Sequence, residues 1–313
     1  MAEKFLVAKA SAGMGNRLLA LCTAILYAQM AERTLVIDWR DGAYGEKGKN
    51  TFNNFFKCLL AKPISSLPKT GAVTPAIWKG NLNKISQSLS NENKTHMEKI
   101  SVDLSSINHP EKIAVFCTFT QKIHILRQHF KGKFSEFRDK TDNQILRMIL
   151  GRHIFLNEDI KKEIEQFRKK NFARKTIGVH VRFTDMKVNV DKIIGTVDRI
   201  RTKKSKIFLA TDSRQIVNMF RKRYGEIITA EKWYPPVNER MHTNKNCKDR
   251  QENGRQAVMD MCLLAQCNSL VYSGRSSFGR VAQLLSKACR LKIFNIDGAN
   301  KMDFLKYFAA KYF

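Results

Sequence analysis

A short apolar run, a glycine turn, a long apolar helix and a second apolar run open the chain, and this succession constrains the fold more than any other feature. The runs are Phe5 to Ala8, Ser11-Ala12-Gly13-Met14-Gly15-Asn16, Leu18 to Met30 and Thr34 to Trp39. Strand, turn, helix and strand make a βαβ unit, whose two strands pair in parallel and begin a doubly wound sheet. The second half repeats the alternation. Thr176 to Arg182, Lys206 to Asp212, Ser269 to Tyr272 and Lys292 to Ile296 read as strands; Ile193 to Arg201, Arg214 to Tyr224, Ala257 to Cys267 and Ser276 to Ala288 read as helices.

Between these halves the pattern weakens. Residues Ala61 to Glu111 are rich in Ser, Asn, Lys and Pro, so loops with short helices are expected there. Ile113 to Thr120 reads as one more strand, and Ile145 to Lys170 as an exposed helix pair. The domain boundary is expected near Asn171, giving an N-terminal domain over 1–170 and a C-terminal domain over 171–313. The amphipathic, aromatic stretch Met302 to Phe313 is expected to pack back on the protein.

With 313 residues, 43% of them hydrophobic, the chain can bury two ordinary cores. Its formal charge of +28 attracts phosphorylated sugars, anionic lipid surfaces and nucleic acids alike, and also fits a merely basic, solvated surface. The seven cysteines lack any Cys-x-x-Cys pair, which argues against structural zinc or a disulfide framework and for a reduced, cytoplasmic setting. The opening segment has no signal-like apolar core, and no stretch reaches the roughly 18 apolar residues of a span, so any membrane contact is expected to be peripheral, at the inner face.

Ligands of parallel sheets collect beyond the carboxyl ends of the strands, where four polar clusters fall. Gly13, Gly15 and Asn16 lack the third glycine of a dinucleotide fingerprint; their turn serves either a ligand at the helix start or packing alone. His180 and Arg182 project to one face of a strand end, where Arg182 either grips a pyrophosphate or forms a structural ion pair with Asp185. Asp212 either reads a guanine edge or caps the next helix, and Ser276 and Ser277 either hold a phosphate or cap theirs. No two aspartates stand two apart, so no Asp-x-Asp pair is present to hold a metal on a nucleotide sugar.

The strings Ile177 to Asp185, Phe208 to Ser213, and Asp260-Met261-x-Leu263-Leu264 with Ser276, Ser277 and Arg280-Val281-Ala282 together resemble the three ordered motifs of the α1,6-fucosyltransferase family. Gly13 to Asn16, Arg33 to Arg40 and Pro235-Pro236 with His242 resemble its bacterial nodulation branch. The resemblance spans most of the chain except Ala61 to Glu111. It implies an α/β fold of the GT-B class, with two Rossmann-like domains facing across a donor-binding cleft, an acceptor-side N-terminal domain and a GDP-sugar-binding C-terminal one. It further implies metal-independent, inverting transfer of fucose from GDP-fucose to an oligosaccharide or glycolipid acceptor, with no cofactor.

By the same carry-over Arg182 holds the β-phosphate, His180 and Asp212 read guanine, Ser276 supports the diphosphate, and Gly13 and Gly15 line the cleft. This chain departs from the mammalian pattern at Phe183, Met186 and Val190, where that pattern has Arg, Lys and Glu. Asp185 is the candidate base, Lys187 a candidate replacement for the missing lysine, and Trp233 and Tyr234 are candidate acceptor contacts. Related α1,2-fucosyltransferases share the Gly-x-Gly-Asn turn and the His-x-Arg-x-x-Asp string, so the linkage stays open, as does another GDP-sugar as donor. Two readings from other classes remain: a nucleic-acid-binding protein using its basic surface around Arg221-Lys222-Arg223 and Lys245 to Arg255 with the aromatics near Trp233 and Tyr234, and an inactive, lectin-like relative.

Overall fold

The computed structural model describes residues 3–236, 239–242 and 244–298, so the expected packing of Met302 to Phe313 lies outside the described residues. The chain divides into two compact units, Met1–Asn157 and Glu158–Phe313. This division precedes the helix ending at Asn171, which groups with the second unit.

In the first unit, β1 (Phe5–Lys9), α1 (Met14–Met30) and β2 (Thr34–Asp38) form the expected parallel βαβ unit. Helix α1 is apolar around nearly its whole circumference, and 15 of its 17 residues are buried, as an interior helix requires. A two-residue antiparallel ladder pairs β3 (Phe56–Lys57) with a later strand. The stretch expected to hold only loops and short helices also contributes strands: β4 (Ala61–Lys62) and β5 (Val73–Thr74) extend the sheet at its two edges, ahead of α2 (Ser86–Glu92). With β6 (Ile113–Phe116), which ends earlier than expected, the order is β4-β2-β1-β6-β5, all parallel.

Three elements close the first unit. They are α3 (Ile123–Leu126), α4 (Asp142–His153) and β7 (Phe155–Leu156), the partner of β3. Helix α4 starts at a Thr141–Gln144 capping box and is amphipathic, with Ile145, Leu146, Ile149 and Leu150 buried and Asn143, Gln144, Arg147, Gly151 and Arg152 exposed.

The second unit begins with α5 (Glu158–Asn171), whose charged faces are exposed around buried Ile160 and Ile164. It continues with β8 (Thr176–Val181), α6 (Val190–Ile200), β9 (Lys206–Thr211), α7 (Arg214–Tyr224), α8 (Arg250–Ala265), β10 (Ser269–Tyr272), α9 (Ser277–Leu285) and β11 (Ile293–Asn295). The sheet order is β11-β10-β8-β9, again parallel throughout. Helix α8 starts earlier than its apolar pattern suggests because the Asp249 side chain accepts from Glu252 N and caps it. Its close approach to β8 depends on Gly178, where a Cβ would lie 2.9 Å from Cys267 Sγ.

All seven cysteines are free thiols; Cys22, Cys117 and Cys267 are deeply buried, and burial pushes their pKa values up. Among the described residues no helix is long and apolar enough to cross a membrane.

Candidate active site

The carboxyl edge of the second unit's sheet opens into a pocket lined by His180, Arg182, Thr211, Asp212, Lys232, Asp260 and Phe278, with neighbours from α8. Strand β8 delivers the first two. His180 is its penultimate residue, and Arg182 follows its last. The Arg182 guanidinium donates to Asp185 Oδ1 at 2.6 Å and to Asp212 Oδ2 at 3.0 Å, and its side chain keeps 21% exposure. The two alternatives for Arg182 are therefore not exclusive: the ion pair with Asp185 forms, and the cation still faces the pocket.

Asp212 does not cap the next helix. Its Oδ1 accepts from Phe183 N at 2.8 Å, its Oδ2 from the Thr184 hydroxyl at 2.6 Å and from Arg182, and Ser213 occupies the N-cap of α7. The carboxylate is turned toward the Arg182 to Thr184 turn and orients the guanidinium, while it also lines the pocket. Asp185 is exposed and lies between Arg182 and Arg240, the latter at 3.5 Å.

His180 is buried and stacks on Phe278, with ring centroids 5.0 Å apart and an interplanar angle of 19°. Burial, and then the charges of Arg182 and Lys232, push its imidazole down to about 3, so it is neutral near pH 7. Its Nδ1 has no hydrogen-bond partner. Gly279 leaves the room: a Cβ there would come within 3.1 Å of that Nδ1 and 3.0 Å of Tyr272 Cδ2.

The residues missed by sequence reasoning are Lys232 and Asp260. They form a buried ion pair, with Lys232 Nζ on Asp260 Oδ2, while Asp260 Oδ1 has no partner. Burial raises the Asp260 pKa against the opposing pull of Lys232. Asp260 stood in the third motif string, but Lys232 comes from an aperiodic loop and carried no signal.

Ser276 is buried at the N-cap of α9, yet its side chain makes no capping bond, and Ser277 is half-buried in the first turn. The preceding loop is spent on its own sheet: the Ser273 hydroxyl donates to Asp297 at 2.5 Å, Arg275 N donates to the same carboxylate, and Gly274 N donates to Asn295 Oδ1 at 2.7 Å. These backbone donors are thereby withdrawn from a phosphate.

Of the expected acceptor contacts, Tyr234 is half-buried against the core with the Arg214 guanidinium 4.5 Å from its ring centroid. Trp233 N donates to Gln256 Oε1, and exposed Lys187 lies over the Phe183 ring.

Gly13, Gly15 and Asn16 belong to the first unit. Gly13 is the N-cap of α1 at φ −76°, and the left-handed residue of the turn is Ala12 at φ 59°. Met14 N donates to the Tyr44 hydroxyl at 2.8 Å. Buried Arg17 forms a bidentate pair with Asp41 and lies over the Trp39 and Tyr44 rings. Among the described residues no group of three or more His, Cys, Asp and Glu side chains is placed to hold a metal ion.

The family model described as nodulation protein Z (NodZ) matches residues 138–305. Nodulation protein Z of Azorhizobium caulinodans is 22% identical over 321 residues, covering 93% of this chain and 90% of its own length. The crystal structure of fucosyltransferase NodZ from Bradyrhizobium superposes with a TM-score of 0.65 at 22% identity, covering 96% of this chain and 98% of that one. A NodZ α-1,6-fucosyltransferase soaked with GDP-fucose gives 0.62 at 22% identity, covering 91% and 93%. The shared fold is α/β with two parallel sheets, the GT-B class.

Proposed function

This chain belongs to the nodulation protein Z family, and from that premise we propose that it is a fucosyltransferase moving fucose from GDP-fucose to a glycan hydroxyl. The observation that carries the reading is the second unit's pocket. There a guanidinium fixed by two carboxylates stands beside two buried polar atoms without partners, His180 Nδ1 and Asp260 Oδ1.

Unpaired buried polar groups are costly, and a ligand that supplies their partners is rewarded for it. A guanine base offers both donors and acceptors along one edge, so Asp260 joins His180 and Asp212 in the proposed reading of the base. Arg182 meets the diphosphate. As the bond from the anomeric carbon to GDP breaks, negative charge grows on the leaving diphosphate, and a preorganised guanidinium stabilises that charge without reorganising.

Inversion requires the acceptor hydroxyl to attack from the face opposite the leaving group. Asp185 is the proposed base and must release an arginine to act. Trp233, Tyr234 and Lys187 are the proposed acceptor contacts, and the linkage formed is α1,6. Ser276, Ser277, Gly13, Gly15 and Asn16 remain proposed donor contacts, with the metal-independent course resting on cationic side chains.

The test is a donor panel of GDP-fucose, GDP-mannose and UDP-sugars offered with glycan acceptors, followed by linkage analysis of the product. GDP release and fucosylated product from GDP-fucose alone are expected. Turnover of a UDP-sugar in preference, or tight GDP-fucose binding without turnover, overturns the transferase reading.

A further inference from the structure

In a parallel α/β layer the helices run back against the strands, so helix C-termini and strand starts share the amino edge, opposite the pocket. That edge of the second unit is strongly basic. The end of α5 and its loop into β8 carry exposed Arg168, Lys169, Lys170, Arg174 and Lys175. The end of α6 and its loop into β9 carry exposed Arg199, Arg201, Lys203, Lys204 and Lys206. The end of α7 adds exposed Arg221, Lys222 and Arg223. Within residues 168–175, 198–206 and 221–226 there are thirteen Lys and Arg against two acids, Asp198 and Glu226.

The three segments are adjacent in space. Lys206 N donates to Lys175 O at 2.9 Å, Arg223 pairs with Asp198 at 2.5 Å, and the Arg201 guanidinium lies 5.1 Å from the Tyr224 ring centroid. Favourable contact with helix C-termini accounts for cations in the last turns only. It does not account for Arg174, Lys175, Lys203, Lys204 and Lys206, which lie beyond the helices.

We propose that this edge docks the protein on an anionic lipid surface, leaving the pocket at the opposite edge open. A lipid surface is favoured over single-stranded nucleic acid because the latter is gripped by exposed aromatic faces between the cations. Here Phe172 packs on Phe167 and Phe208, Tyr224 is half-buried, and none of the large exposed hydrophobic residues falls in the three segments. Cations without stacking platforms suit a planar array of headgroups, each contributing through a field that salt screens.

The experiment measures binding of the whole protein to phosphatidylcholine vesicles with and without phosphatidylserine at rising salt. One variant carries Lys169→Gln, Lys170→Gln, Lys203→Gln and Lys204→Gln. A second removes equal charge elsewhere, by Lys69→Gln, Lys79→Gln, Lys99→Gln and Lys131→Gln. GDP binding and melting temperature report that each is folded, and Arg174→Gln with Lys175→Gln and Lys206→Gln replaces the first variant should it not fold.

Binding is expected to require phosphatidylserine, to weaken with salt, and to fall at least roughly tenfold in the edge variant against less than about threefold in the control. Equal losses in both variants reduce the effect to net charge and overturn the proposal. So does tighter binding to single-stranded RNA than to the anionic vesicles, or no vesicle binding at all. Because GDP binding is read separately, failure here leaves the transferase reading standing, and the converse holds.

Discussion

The two units present the same kind of edge, the carboxyl ends of a parallel sheet, and treat it in opposite ways. In the first, Lys9 and Asp38 end neighbouring strands and bond each other at 2.7 Å; Lys9 also donates to Lys84 O, and Arg40 closes on both oxygens of Asp38. Arg17 is likewise consumed by Asp41. In the second, Arg182 is held by carboxylates yet remains partly exposed, and His180 Nδ1 and Asp260 Oδ1 lack partners. Paired charge at a strand end serves the fold, whereas unsatisfied polarity at the same place marks where a ligand is expected.

The contrast predicts different failures. Asp38→Ala strands buried Lys9 and should cost about 3–5 kcal/mol of stability, seen as a lower urea midpoint, while the folded fraction keeps its donor affinity. Arg182→Ala should do the reverse: its melting temperature stays near the parent's while kcat/KM for GDP-fucose falls roughly 100- to 1000-fold. Near-normal turnover by that variant breaks the comparison at its centre.

A smaller effect separates the edges by pH. The folded His180 titrates near 3 against 6.5 for the free group, so as pH falls the unfolded chain takes up its proton first. The stability it contributes is complete above about pH 6.5 and drains toward pH 3, with about 2 kcal/mol gone by pH 5. Asp38 adds its loss later. Burial alone would raise its pKa, but the Arg40 and Lys9 contacts outweigh burial and leave it lowered, so its contribution disappears only as pH drops below the ordinary carboxylate value of 3.8. Unfolding measured from pH 7 to 5 should therefore be flatter in His180→Gln than in the parent, and unchanged in slope in Asp38→Ala. Smallest is Gly279→Ala, whose new methyl crowds Tyr272 and His180; a cost of about 1–3 kcal/mol, with weaker GDP binding, is expected from calorimetry.

The βαβ start and the strands of the second unit were legible because apolar runs bounded by turns repeat at a regular interval. Strands β4 and β5 were not, since two residues cannot display a period. The turn of Asp212 toward Phe183 N and the Lys232–Asp260 pair were hidden for a different reason: both join residues 28 or 29 apart through tertiary packing. Sequence spacing placed the right strand ends, and only geometry could say which oxygen was already taken.

Strand β8 has six residues, and at about 3.3 Å per residue it is roughly 20 Å long. Lys175 stands just before its first residue and Arg182 just after its last, so the strand acts as a spacer of fixed height. If the protein docks through this edge as proposed, with β8 upright on the surface, Arg182 stands about two nanometres above the headgroup plane. On the proposed docking and transfer together, a hydroxyl attached close to a lipid lies out of reach, and the acceptors expected are sugars on long stalks or free in solution.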